Sequence, residues 1–271
     1  LTAIEFEIRR PSFSAPGLDL TVGLIGTFAD QDEVFLPYSY VQAAVGDASV
    51  IRLTESGELQ ALKQGSTYLQ VSRGNISAAT AVTVGFPTTG FEIMTATFDI
   101  DAYPDSVTLL PHGGTRQIIT SMDPNREFFA NGASEGTKYV SHDTAIVTVD
   151  EDGLLVGVGG GTTTVTVINR WGEDQVRVTV MPATVGDDVP VNSETGGIVE
   201  NVDGVQISFG PEALTGDAIV TIESLSEGEL PIPMVGGDSG MFSFLGAFDL
   251  QVEGGEFNDT VQVAVPAAEA V

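Results

Sequence analysis

The sequence predicts an all-β chain: two tandem β-sandwich modules, then a third, C-terminal β-sandwich domain. Three observations carry this. Apolar and polar residues alternate in short runs such as Ile4-Glu5-Phe6-Glu7-Ile8, the period of two that turns one face of a strand to a core. No long stretch shows a 3.6-residue apolar period, so helices are expected only as single turns. One segment also occurs twice. Asp47 to Val71 aligns without a gap on Asp143 to Val167, with Asp47 on Asp143, Gly57 on Gly153 and Gly65 on Gly161, always 96 residues apart. The register continues to Val82-Thr83-Val84 and Val178-Thr179-Val180. A fixed offset over that span marks duplicated modules.

In the second copy, Ile146 to Asp150 reads as a strand and Asp150-Glu151-Asp152-Gly153 as a turn, with Gly153 supplying positive φ. Leu154 to Val158 is the next strand. Gly159 to Gly161 break it, and Thr162 to Ile168 form a third, rich in the Thr and Val that strands favour.

The first module is expected over residues 1–87. It opens on the Ile4–Ile8 strand, turns at Ala15-Pro16-Gly17 and resumes strand character from Leu18 to Ile25. Gly85 to Gly90 punctuate the join. The second module is expected over 91–183, with Pro111 to Gly114 as a turn and Arg170 to Asp174 as a hairpin tip. Thr184 to Asn192, polar and Pro-containing, suits a linker. The last domain, 190–271, does not repeat the pattern. The three modules are expected to follow one another in line.

The duplicated residues carry a resemblance. An Asp-x-(Ser/Ala)-(Val/Ile) start, an alternating strand, a Gly turn, a short strand and a Gly-(Ser/Thr)-Thr strand together resemble the bacterial Ig-like group 2 (BIG2) domain. The resemblance covers residues 1 to about 184 and implies Ig-like sandwiches of the kind found in adhesins and other surface proteins. That family often has a Trp shortly before the Asp; here Tyr139 stands near that position in the second copy and Ala43 in the first. Gly196-Gly197, Val205 to Phe209, Pro211 to Leu214, Asp217 to Ile222, Leu245 to Leu250 and Val261 to Pro266 resemble a ZU5-like β domain. Some ZU5-like domains cleave themselves at a Phe-Ser bond preceded by His. Here Met241 replaces that His before Phe242-Ser243, so an ordinary strand is expected.

The 271 residues give room for two or three cores, and 32 Gly with 13 Pro fit many turns between short strands. No apolar run reaches the roughly 18 residues of a membrane span. The chain starts with Leu, which we read as a processed form or a piece of a longer product. Cysteine is absent, which excludes disulfides and thiolate metal sites. The net charge is −28. Nucleic acid and anionic membranes would be repelled, so neither is an expected partner. The charge is uneven: Val185 to Val271 hold 16 acidic residues and no Lys or Arg.

The chemistry available is sparse. His112 and His142 are the only histidines. Ser141-His142-Asp143 contains the residue types of a hydrolase triad, but neighbours in an extended segment cannot converge, and Asp143 is expected to bond turn amides instead. The chain is therefore expected not to be an enzyme. Carboxylates at turns are hard oxygen ligands, which makes Asp150 and Asp152, and Asp187 and Asp188 in the expected linker, candidate Ca²⁺ ligands. The competing reading of Asp150 and Asp152 is a solvated hairpin tip. Trp171, the only Trp, and Arg170 are candidate partner contacts, because these residue types dominate binding hot spots; packing against their own module is the alternative.

The expected setting is extracellular or at a cell surface. The expected role is structural or adhesive, as a stalk or scaffold. Two alternatives are a subunit of an extracellular assembly (surface layer, filament or virion exterior) and a carbohydrate-binding accessory module of a secreted enzyme. The partners would be surface or assembly proteins, glycans, or further copies of the chain.

Overall fold

A computed structural model describes residues 1–85, 100–122, 129–229 and 246–265. The fold is all-β. The described helical pieces are three-residue 3-10 turns at Tyr38–Tyr40, Ala133–Glu135 and Glu227–Glu229. The chain divides into two compact units: Leu1–Asp105 with His112–Val178, and Ser106–Pro111 with Thr179–Val271.

The first unit holds both copies of the repeat. In the first copy, Ser12–Phe13, Ile76–Val84, Gly65–Arg73 and Gln42–Val45 lie side by side in one sheet. Opposite are a sheet of Ala3–Phe6, Leu24–Thr27 and Val34–Leu36, and another of Asp19–Thr21, Glu58–Ala61 and Ile51–Leu53. Ile4, Leu24, Ile51, Leu59, Leu69, Val71 and Val82 fill the space between. Residues 18–25 are thus two strands in different sheets rather than one. The break falls at Gly23, where an added Cβ would stand 2.2 Å from Glu7 Oε2.

The second copy repeats this plan. Gly161–Asn169 lies between Lys138–Ser141 and Gly172–Val180, and Leu154–Gly157 between Thr115–Gln117 and Val147–Val149. Val147, Leu155, Val165 and Val167 are buried. Residues 91–99, where the second module was expected to open, lie outside the described residues, as does Phe128.

The duplication is repeated in the hydrogen bonds. Asp47 Oδ1 accepts Ser49 N, and Asp143 Oδ1 accepts Ala145 N. Val22 N donates to Gly57 O, and Ile118 N to Gly153 O. Gly17 N donates to Ala61 O, and Gly113 N to Gly157 O; Gly46 N donates to Tyr68 O, and His142 N to Thr164 O. All keep the 96-residue offset. Gly57 and Gly153 sit at φ +84° and +87°, the left-handed region that glycine enters without a Cβ penalty. A tyrosine ring lies over each of them. A Cβ on Gly153 would meet Tyr139 Cζ at 2.7 Å, and one on Gly57 would meet Tyr38 rather than residue 43. The first copy therefore draws its aromatic cover from the 3-10 turn at Tyr38–Tyr40, five residues earlier than the repeat register predicts. Ala43 is exposed.

The second unit packs Val199, Ile207, Phe209, Val220 and Ile222 between two sheets. One runs Thr184–Val185, Gly197–Glu200, Gln206–Phe209, Val261–Ala264; the other runs Val189–Val191, Ala218–Leu225, Ala247–Glu253. Ser106–Leu109 belongs to this unit: Thr108 Oγ1 donates to Phe209 O at 2.9 Å, and Ser106 Oγ to Pro211 O at 3.0 Å. The stretch 184–192 is not a linker. Val189 and Val191 are buried either side of exposed Pro190, a period-two strand at the edge of its sheet, where a missing N–H costs no ladder bond. The Met241-Phe242-Ser243 segment lies outside the described residues.

Candidate functional site

The chemistry of the first unit gathers where its two modules meet. The expectation of modules strung in line does not hold here: they pack sheet against sheet. The outer face of an Ig-type sheet is ordinarily wet, but in the second copy Val140, Thr166 and Ile168 point outward, opposite to core residues Val165 and Val167, and are buried. Ala79 and Ala81 of the first copy cover them, with Tyr68 packed against the same cluster. Lys138 Nζ stands 5.0 Å from the centre of the Tyr68 ring. Small residues on strand Ile76–Val84 let the two sheets approach closely.

Backbone edges meet here too. Ile76–Val84 is paired along its whole length with Gly65–Arg73, but on its other side Ser12–Phe13 reaches only Thr83 and Val84. The remaining open edge would be a liability for aggregation. The second module closes it: Ser77 N donates to His142 O at 2.9 Å, and Thr144 N to Asn75 O at 3.1 Å. Ala81 N donates to Glu173 Oε2 at 2.6 Å. A side-chain carboxylate thus takes the place of a strand carbonyl.

Glu173 is buried, its side chain only 4% exposed, and an isolated buried carboxylate is costly. Arg9 of the first module offsets that cost, with Nε 2.9 Å and Nη2 2.8 Å from Oε1. Both carboxylate oxygens are therefore occupied, one by charge and one by the strand edge.

His142 lies on the same covered face. Its Nε2 is 2.7 Å from Thr166 Oγ1. Burial, with a further contribution from the Arg9 charge, pushes its pKa down to about 4, so the ring is neutral at pH 7. Its chain neighbours turn elsewhere: Ser141 Oγ donates to Val147 O, and Asp143 Oδ1 accepts Ala145 N. The three residue types of a triad are adjacent in sequence without meeting in space.

The residues singled out from sequence make other contacts. Asp150 Oδ1 accepts the amides of Asp152 and Leu154, which shapes the exposed turn, and Asp152 O accepts Gln117 Nε2. Asp187 and Asp188 lie in a turn inside the second unit; Asp188 has φ +53° and accepts Thr221 Oγ1 at 2.8 Å. Among the described residues no three His, Asp or Glu side chains gather as a metal site. Arg170 and Trp171 form the tip of the Gly161–Asn169/Gly172–Val180 hairpin. The Arg170 guanidinium stands 4.6 Å from the Trp171 ring centre, and the indole is 43% exposed.

The junction itself went unrecognised from sequence, although a signal was present. The outward positions 79 and 81 are Ala in the first copy, while their equivalents in the second, Gln175 and Arg177, are polar and exposed. Two copies of one fold that differ in polarity on a single outer face mark the copy whose face is covered.

The family model described as bacterial Ig-like domain (group 2) matches residues 120–180, which lie in the second copy. A search of curated proteins finds no match. Among solved structures, domains 4 and 5 of the S-layer protein SbsC align over 66% of this chain and 96% of theirs, at 17% identity and TM-score 0.24. Domains 1–6 of SbsC align over 99% of this chain and 40% of theirs, at 17% identity and TM-score 0.26. Human protocadherin-24 EC1-2 aligns over 66% and 98%, at 12% identity and TM-score 0.22.

Proposed function

We propose that this chain is a non-enzymatic structural segment of a secreted or surface-displayed protein, a scaffold that holds Ig-like modules in fixed relation. The observation that carries the reading is where the buried polar chemistry is placed. Glu173 and Arg9 bond across the joint between modules, and His142 O accepts Ser77 N there. Broadside packing of the first two modules favours the scaffold reading over the stalk. The BIG2 match supports an extracellular or surface setting. For residues 190–271 the ZU5-like reading is kept, supported by two sheets around Phe209.

Light scattering over a wide protein concentration range tests this reading. A scaffold segment stays monomeric. Growth into large species would instead favour the second reading, a subunit of an ordered extracellular assembly. A glycan-binding accessory role is favoured by one observation, the exposed Trp171 at a hairpin tip. It requires that Trp171→Ala abolish retention on a glycan array.

A further inference from the structure

We propose that the joint between the two Ig-like modules is an acid-released latch, closed while His142 is neutral and opened by its protonation. His142 follows Val140 at the strand spacing and bonds Thr166, so it belongs to the outer face of its sheet. Its neighbours on that face, Val140 and Ile168, are covered by Ala79, Ala81 and Tyr68 of the other module, and His142 itself is half-buried beside them. Undocking would return the imidazole to water while leaving the core of Val147, Leu155, Val165 and Val167 intact. Proton affinity at this one ring is therefore tied to docking rather than to folding of either module.

The field at the ring opposes a proton. The charge that does so is Arg9 of the first module; Lys138, on the second module's own edge strand, is turned to the Tyr68 ring instead. The carboxylate at the joint is Glu173, and both its oxygens are already bonded, to Arg9 and to Ala81 N. Asp143, next in the chain, is turned to Ala145 N. Thr166 Oγ1, the ring's partner, is neutral and also receives Gln175 Nε2 at 3.4 Å. A protonated ring would lie on a largely covered face, in the field of a guanidinium.

The sign follows from linkage. The undocked ring titrates near the ordinary histidine value of 6.5, and the docked ring near 4. Above the first value both forms are neutral and docking has its full strength. As pH falls between the two values, only the undocked form takes up the proton, so docking weakens by up to tenfold per pH unit. Below the second value both forms are protonated and the effect saturates, at a total of about 300-fold in the docking equilibrium.

The amides of Ser77 and Ala81 report docking directly, because their acceptors are His142 O and Glu173 Oε2 in the other module. Hydrogen exchange of the full chain would be followed from pH 7.5 to 4.0, with protection corrected for intrinsic exchange and Leu69 and Val165 as core references. Protection at Ser77 and Ala81 should fall by tens to hundreds of times while the core amides hold. In His142→Gln, which keeps the backbone carbonyl and a side-chain amide able to bond Thr166, that fall should vanish. Glu173→Gln serves as a second variant: it should lower junction protection at every pH yet keep the pH slope. The proposal is overturned if wild-type junction protection is flat, if His142→Gln falls as the wild type does, or if junction and core amides lose protection together. The last outcome would mean that acid unfolds the modules rather than unlatching them.

Discussion

Arg9 and Glu173 meet across the module joint with Nη2 2.8 Å from Oε1, and the carboxylate's second oxygen holds the amide of Ala81. One side chain thus neutralises a charge and closes a sheet edge. Glu173→Ala leaves an open strand amide and an unpaired guanidinium together. Because Arg9 is 36% exposed, the loss should be about 2 kcal/mol, below the range for fully buried pairs. Glu173→Gln, which still accepts from Ala81 N, should cost less than half of that. Denaturant midpoints of the first unit check both. Equal effects from the two variants would assign the whole contribution to charge.

The two tyrosines over the turn glycines should respond in opposite ways. Tyr139 OH donates to Asn131 O at 2.7 Å and lies 2.8 Å from Thr120 Oγ1. Tyr38 OH is buried without a hydrogen-bond partner, and burial pushes its pKa to about 12. Removing a bonded buried hydroxyl costs about 1–2 kcal/mol, whereas removing an unpaired one is neutral or stabilising. Tyr139→Phe should therefore lower the melting temperature, and Tyr38→Phe should leave it unchanged or raise it. A drop with Tyr38→Phe would place a bound water at that hydroxyl.

Gly57→Ala and Gly153→Ala force a Cβ into left-handed backbone and against a tyrosine ring, at 2.3 Å from Tyr38 and 2.7 Å from Tyr139. Each should destabilise by about 1–3 kcal/mol. Gly153→Ala should cost more, because the Tyr139 ring is tethered by its hydroxyl and cannot swing away freely. Thermal melts of the two single variants compare them.

The second unit should be the salt-sensitive one. It carries the 16 acidic residues from Val185 onward and no Lys or Arg. Neighbouring strands stand about 4.8 Å apart, inside the roughly 8 Å screening length at physiological salt. In low salt, exchange protection at Ile207 and Val220 should fall before that at Leu69. CaCl₂ and NaCl compared at matched ionic strength separate screening from binding, and equal action would mean that screening suffices. Selective stabilisation by CaCl₂, lost in Asp187→Asn/Asp188→Asn, would instead locate a calcium site in that turn.

Much of the fold was legible because the duplication fixes turn geometry residue by residue. Asp47 and Asp143 cap the same turn, and Gly57 and Gly153 take the same φ. What was misread has physical causes. Residues 184–192 look like a linker because Pro190 argues against a strand, yet an edge strand tolerates proline where no ladder bond is lost. Tyr38 was missed because five residues of displacement take it out of the repeat register. The joint was missed because a long-range surface leaves only a polarity difference in sequence: Ala79 and Ala81 in one copy, Gln175 and Arg177 in the other.

That same difference gives the pair a direction. Positions equivalent to the covered Val140 and Ile168 are Ala44 and Ser72 in the first copy, and those equivalent to the covering alanines are Gln175 and Arg177 in the second. Each module thus keeps only half of a plug-and-socket, and the halves are not interchangeable. Exchanging the two faces would set the polar Gln175 and Arg177 against the small Ala44 and Ser72, with no apolar cover on either side. Adding a third copy of either kind by this joint would find no matching surface, so growth by this contact ends at two. Gene duplication supplied identical parts; divergence on one outer face turned a potentially endless stack into a counted pair.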